Sequence, residues 1–301
     1  MLAEEAMHVP NASALALLAL LLALGPARSA AAPEAARTLP TASARPSPAL
    51  RATAAPLPGG CRPAPPAQSL DAFALMGHAT TDYPESAEGR NFNMAKAAQK
   101  LCGSYIAPGG TFSFNERLGE ASRAAGYKVG RVFIGERIVP GYGGGVCQVA
   151  STIYDAAMRA GLPIVERHQH GLTVPYLAPG EDATISYGAL DLRIGNDTGG
   201  VVQLVTSARG GRVTAEFFGP REPPDVRWRH LELAHYAFRM IRIPDPGLAR
   251  GKEVVEAAGQ DGYRVHTWLD RSWPDGRQET LDLGIDGYRP SPRVVRYGTG
   301  A

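Results

Sequence analysis

Gly143-Gly144-Gly145-Val146-Cys147-Gln148 runs straight into Val149-Ala150-Ser151-Thr152-Ile153-Tyr154-Asp155-Ala156-Ala157-Met158-Arg159-Ala160, and Gly161 follows. Val149, Ile153, Ala156, Ala157 and Ala160 line one side at three- and four-residue spacing. Gln148 to Ala160 therefore reads as a helix that Gly161 closes. Beyond it the pattern changes. Leu172 to Tyr176, Ala183 to Tyr187, Leu190 to Ile194, Val201 to Thr206 and Val213 to Phe218 are short segments separated by Gly, Asn and Asp, and they read as strands. Ahead of it, Met94, Ala97, Ala98 and Leu101 give Asn93 to Cys102 a helical face that Gly103 stops. Phe112 to Asn115 alternates as a brief strand, Glu116 to Ala125 reads as a short helix before Gly126, and Val129 to Val139 reads as a strand or hairpin. Mixed helices and strands followed by a strand-rich half define an α+β domain.

The same opening stretch carries the chemistry. Three glycines let the backbone reach φ > 0 and let a ligand approach closely. A helix N-terminus offers unpaired N–H groups and a partial positive charge, which favour a thiolate. A cysteine placed there is presented for reaction. The plainer reading of the same residues is a tight turn with a packed thiol. A nucleophilic cysteine also needs a base within hydrogen-bond reach. The nearest candidates are His168 and His170, in Glu166-Arg167-His168-Gln169-His170-Gly171. Glu166, Asp182 or a backbone carbonyl would orient the imidazole, and Arg167 or Arg131 would hold a carboxylate or an oxyanion. On a strand, His168 and His170 would share one face, which also suits a metal pair. With one nearby Cys and no carboxylate at a ligand spacing, no metal is expected, and no cofactor motif is present.

The chain has 301 residues, with 31 Lys and Arg against 29 Asp and Glu, a net charge of +2. That balance gives no basic field for nucleic acid. Ala12 to Leu24 is an almost unbroken Ala/Leu run, too short to span a bilayer comfortably, followed by small residues from Ala27 to Ala31. Residues 1–31 read as an export signal, although Glu4 and Glu5 precede the run where basic residues are usual. No second apolar stretch reaches spanning length, so an extracytoplasmic chain without a stable membrane span is expected once the signal is cleaved. The three cysteines then matter: an odd count in an oxidising compartment leaves one thiol over. Cys61 and Cys102 are the expected pair and Cys147 the expected free thiol. Residues 32–67, rich in Ala, Pro, Ser and Thr, read as a disordered linker. Residues 68–220 read as the main domain, 221–250 as a connector and 251–301 as a small all-β module.

The stretch from about Arg90 to Gly219 resembles the VanW family, named after an accessory protein of vancomycin-resistance clusters. The residues that carry the resemblance are Arg90-Asn91-Phe92-Asn93, Pro108 to Asn115, Gly126-Tyr127, Gly143 to Val149, Ser151 to Tyr154, Glu166-Arg167 with His170, Val174-Pro175-Tyr176, Gly180 to Thr184 and Asp191-Leu192. Gly171, Cys102-Gly103 and Glu181 depart from the family pattern. The tail, ending Pro292-Arg293-Val294-Val295-Arg296-Tyr297-Gly298-Thr299-Gly300, resembles a G5 domain. The resemblance implies a peptidoglycan role with stem peptides and glycan as partners. It further implies L,D-transpeptidation: Cys147 attacks the third stem residue, D-Ala leaves, and an amine resolves the thioester into a 3→3 cross-link. Water in place of the amine would give a carboxypeptidase. Cys147, His170, His168 and Arg167 are the catalytic candidates. Gly143, Gly144, Gly145, Val146, Gln148, Asn93 and Tyr176 are the candidates for substrate and oxyanion contacts, with the Gly145, Val146 and Cys147 amides as donors. A non-catalytic wall-binding protein and a cysteine peptidase or amidase are the alternatives.

Overall fold

The computed structural model describes residues 73–84, 88–134 and 137–300. The export signal, the linker and Cys61 lie outside the described residues. Among those described, no helix is long and apolar enough to cross a membrane.

Strand β1 (Ala74–Asp82) leads into helix α1 (Glu88–Leu101), β2 (Ser104–Ile106), β3 (Thr111–Ser113), the short helix α2 (Phe114–Leu118) and the hairpin β4 (Val129–Ile134) and β5 (Arg137–Tyr142). Helix α3 (Val146–Arg159) follows, then β6 (Ile164–Glu166), β7 (Arg193–Gly195), β8 (Val202–Arg209) and β9 (Arg212–Gly219). Strands β1, β9, β8 and β2 form one antiparallel sheet in that order, and β3, β7 and β6 form a second. Helix α3 packs on β1 and β9, and α1 packs on β8. Nearly every residue of α3 is buried, including Val149, Ile153, Ala156 and Ala157. The approach to β1 is close enough that a Cβ at Gly77 would stand 2.4 Å from the backbone nitrogen of Ala160. Met76, Met94, Leu101, Phe114, Ile153, Leu192 and Phe217 complete a continuous apolar centre between helices and sheet. The α+β class is therefore the observed one.

Three local expectations need correction. Phe112 to Asn115 keeps strand geometry only to Ser113, because the Ser113 hydroxyl accepts from the Glu116 N–H and starts α2 one residue later. That helix does not reach Ala125: it stops at Leu118, where Gly119 takes φ 67°. Leu172 to Tyr176 and Ala183 to Tyr187 are not strands. Their backbone groups find single partners instead of a ladder: Ala183 exchanges hydrogen bonds with the Ser151 hydroxyl, and the Thr184 N–H donates to the His168 carbonyl.

The region expected as a connector is built of strands. β10 (Asp225–Tyr236), β11 (Met240–Ala249), β12 (Glu253–Gln260), β13 (Gly262–Ser272), β14 (Gln278–Tyr288) and β15 (Ser291–Gly300) form two three-stranded sheets, ordered β10-β13-β14 and β11-β15-β12. Pro244 and Pro246 hid β11, since proline cannot donate to a ladder. They are tolerated because β11 is an edge strand, paired only with β15. The first of these sheets joins the main core through Trp228 and Leu269, and the Trp228 ring lies 6.3 Å from that of Tyr154.

Candidate active site

Cys147 is the second residue of α3, directly after an N-cap, Gly145, held in the left-handed region at φ 103°. A side chain there is excluded twice: by that φ, and because its Cβ would stand 2.8 Å from Arg90 Cγ and 2.9 Å from Met94 Cγ. Gly144 is required for a different reason. The β4–β5 hairpin backbone presses on it, so a Cβ would stand 2.6 Å from the Arg131 nitrogen. The glycines thus bring hairpin, α1 and α3 together around the thiol. Gly145→Ala is expected to cost about 1–3 kcal/mol of stability from backbone strain and the Met94 clash. Thermal unfolding checks it, and an unchanged midpoint would contradict this account of the loop.

The thiol is half-buried and free, at the floor of a cavity of about 260 Å³ whose walls include Arg90, Glu120, Arg131, Tyr176 and Tyr187. Its sulfur lies 3.5 Å from Thr184 Oγ1 and donates to the Ile185 carbonyl at 3.7 Å. His170 stands behind it with its side chain fully buried. The His170 Nδ1 meets Asp182 Oδ2 at 2.6 Å, and the His170 backbone N–H donates to the same oxygen at 2.8 Å. With Nδ1 committed to Asp182, the interaction of the ring with the thiol falls to Nε2. The array Cys147–His170–Asp182 is a nucleophile, a base and an orienting carboxylate in line.

The electrostatics follow the geometry. Burial pushes the Cys147 thiol up, but the hydrogen bond and charge of His170, the Ile185 carbonyl and the Thr184 hydroxyl outweigh it, so the thiol lies below its ordinary value. Burial works against the His170 cation, yet the bonds to Asp182 and Cys147 raise it to about 9. Burial disfavours the Asp182 carboxylate, but His170, Arg167 and Tyr288 together hold it below the usual range. Both shifts favour the thiolate–imidazolium pair over the neutral pair.

Other candidate residues take different places. His168 does not reach the thiol: it is partly exposed and pairs with Glu166 Oε1 at 3.0 Å. The two histidines do not share a strand face, because β6 ends at Glu166 and residues 167–170 are irregular. Among the described residues no group of three His, Cys, Asp or Glu side chains is placed to hold a metal. Arg167 faces away from the cavity. Its Nε donates to the Asp182 carbonyl at 2.7 Å, and its Nη1 bonds both oxygens of Asp286 at 2.8 and 2.7 Å. Gln148 is buried with its amide fully used: Oε1 accepts from Arg90, and Nε2 donates to Thr81 Oγ1 at 2.9 Å and to the Asp82 carbonyl at 3.0 Å. Asn93 ties Lys128 to the Gly144 carbonyl. Both brace the loop, and Gln148 also lines the cavity. Among the amides, those of Val146 and Gln148 donate to the Gly143 and Gly145 carbonyls, which leaves the Gly145 and Cys147 N–H groups as the candidate oxyanion donors. Tyr176 lines the cavity and its hydroxyl engages Ser151. Cys102 is disulfide-bonded.

Thr184 and Ser151 enter the sequence reading among the residues that carry the resemblance, without a role in the site, and Asp286 and Tyr288 do not enter it. The last two come from β14, more than a hundred residues from His170, and no local pattern links them to it.

Residues 89–218 match the family described as VanW like protein, and residues 232–300 match the G5 domain. The chain is 37% identical over 136 residues to YoaR of Bacillus subtilis, covering 45% of each. It is 30% identical over 156 residues to the vancomycin B-type resistance protein VanW of Enterococcus faecalis, covering 50% of this chain and 56% of that one. The match thus spans about half the length of either relative. Among solved structures, the IgA1 protease G5 domain aligns at 24% identity with 28% of this chain and all of that one, at a TM-score of 0.17.

Proposed function

We propose, for a chain that carries a VanW-like domain followed by a G5 domain, that it acts on peptidoglycan outside the cytoplasm as a cysteine-dependent L,D-transpeptidase. The observation that carries this reading is the Cys147–His170–Asp182 array at a helix N-terminus, opening on a cavity. The wall association of VanW and G5 families supports the choice of substrate.

In this reading the Cys147 thiolate attacks the carbonyl carbon of the third stem residue. The Cys147 N–H faces the developing oxyanion, and Arg131 at the cavity wall offers a cation to a substrate carboxylate. The bond to the terminal D-residue breaks, and His170 delivers its proton to the departing amine. A thioester remains. An acceptor amine then attacks it, gives its proton to His170 and releases the thiolate, leaving a 3→3 cross-link. Water in the second step would give a carboxypeptidase.

The test is incubation with a disaccharide-tetrapeptide followed by mass spectrometry, with Cys147→Ala alongside. Loss of the terminal residue, a thioester adduct and a cross-linked dimer are expected for the native chain, and none of them for the variant. Absence of these products from both, with binding to the substrate retained, would remove the catalytic reading in favour of a wall-binding protein, the alternative that the G5 domain favours.

A further inference from the structure

The C-terminal module is wired into the reactive array. The Tyr288 hydroxyl, on β14, donates to Asp182 Oδ1 at 2.5 Å and accepts from the Gly180 N–H at 2.7 Å. Two residues earlier on the same strand, Asp286 holds Arg167, whose Nε in turn grips the Asp182 carbonyl. Both oxygens of Asp182 are therefore assigned: Oδ2 to His170, and Oδ1 to Tyr288 with Arg167 at 3.4 Å. Tyr288 is 2% exposed and Asp286 7%, so neither contact competes with water. The seam is tight beyond these groups. A Cβ at Gly180 would stand 2.0 Å from Thr267 Oγ1 of β13, and the Arg289 N–H donates to the Gly171 carbonyl at 2.8 Å.

We propose that Tyr288 and Asp286 are positioning residues for the reactive cysteine: the β module completes the active site by fixing the Asp182 carboxylate, and through it the His170 ring. This inference rests on the transpeptidase reading only for its consequence in turnover. The coupling itself concerns Cys147, His170 and Asp182, whatever the substrate. A carboxylate with two acceptor oxygens orients an imidazole only if something prevents its rotation, and here the restraint comes from a different module of the chain. The module's role is then not limited to holding wall polymer.

The experiment uses the full chain with Tyr288→Phe, which keeps the buried ring and removes the hydroxyl. The first readout is the rate of Cys147 alkylation by iodoacetamide against pH, which needs no substrate. The midpoint is expected to rise by about one pH unit, a roughly tenfold smaller thiolate fraction on its acid side. The second readout is peptide turnover, with kcat falling about ten- to a hundredfold and KM holding within about twofold. Gln260→Ala loosens the same seam, at its bonds to Thr173, without touching Asp182. Its alkylation profile is expected to match the native one. An unmoved or lowered midpoint for Tyr288→Phe overturns the proposal, as does an equal shift in Gln260→Ala. A raised midpoint specific to Tyr288→Phe in a chain that forms no cross-link upholds the coupling and rejects transpeptidation.

Discussion

His170→Gln is expected to lower kcat for acyl transfer by about three to four orders of magnitude, the range typical of losing both the base and the orienting pair. Two functions are lost at once. In the native chain the imidazolium offsets the burial that would otherwise push the thiol up. Without it, burial dominates, and alkylation of Cys147 at pH 7 is expected to fall at least ~tenfold. The proton for the leaving amine is also gone. Because His170 is held protonated to about 9, native turnover is expected to decline as pH rises through that value, and the variant's residual rate is expected to lack that limb. Gln fills much of the ring's volume and its amide N–H can still donate to Asp182, so the fold is expected to survive with a loss of about 1–3 kcal/mol. Stopped-flow alkylation and a pH–rate profile check both parts. A variant that retains native alkylation at pH 7 would show that the thiolate owes nothing to His170.

The elements legible in the sequence are those whose own residues decide them. Helix α3 was readable because Val149, Ile153 and Ala156 repeat with the helical period against a sheet, and the observed start differs by only two residues. β8 and β9 are readable because each is a short run rich in Val, Thr and other apolar residues, with a Gly210-Gly211 turn between them. The presented thiol was readable from the glycines, each of which the packed loop requires. Segments whose backbone bonds go to distant side chains were not readable as such. Ala183 to Tyr187 has strand-like composition, yet Ser151 and His168 satisfy it singly. His168 and His170 share a face only on a regular strand, and β6 ends before them at Glu166. Asp182 stood among three possible orienters because nothing near His170 distinguishes it. Its selection depends on a loop returning through Gly180, held by Tyr288. β11 was missed because its prolines break the alternation that announces a strand, and only the sheet order shows that they sit at an edge.

Asp182→Ala is expected to be the most destabilising single change at the site, by about 3–5 kcal/mol at neutral pH, because it breaks a buried charge cluster from one side. The carboxylate is 0% exposed and accepts from the His170 N–H, from the His170 ring and from Tyr288. Removing it leaves the His170 amide and Nδ1 without an acceptor in a site closed to water, and leaves Arg167 with Asp286 alone on its charged end. The pH dependence has a definite sign. His170, Arg167 and Tyr288 hold the Asp182 carboxyl below its ordinary 3.8. Its contribution is therefore present above the unfolded value and is lost as pH falls through the folded one. The stability gap between native chain and variant is expected to be widest near pH 7 and to narrow below about pH 4. Urea unfolding at pH 7, 4 and 3 measures it, and a gap that stays constant over that range would show that Asp182 acts by packing and not by charge. Asp182→Asn separates folding from chemistry. It keeps the shape and the bond to Tyr288, so the loss of stability is expected to be about 1–2 kcal/mol. Its amide, however, turns an N–H toward Nδ1 and forces the imidazole proton onto Nε2, where the ring can no longer accept from the thiol. Turnover is then expected to fall by about three to four orders of magnitude in a chain that remains folded.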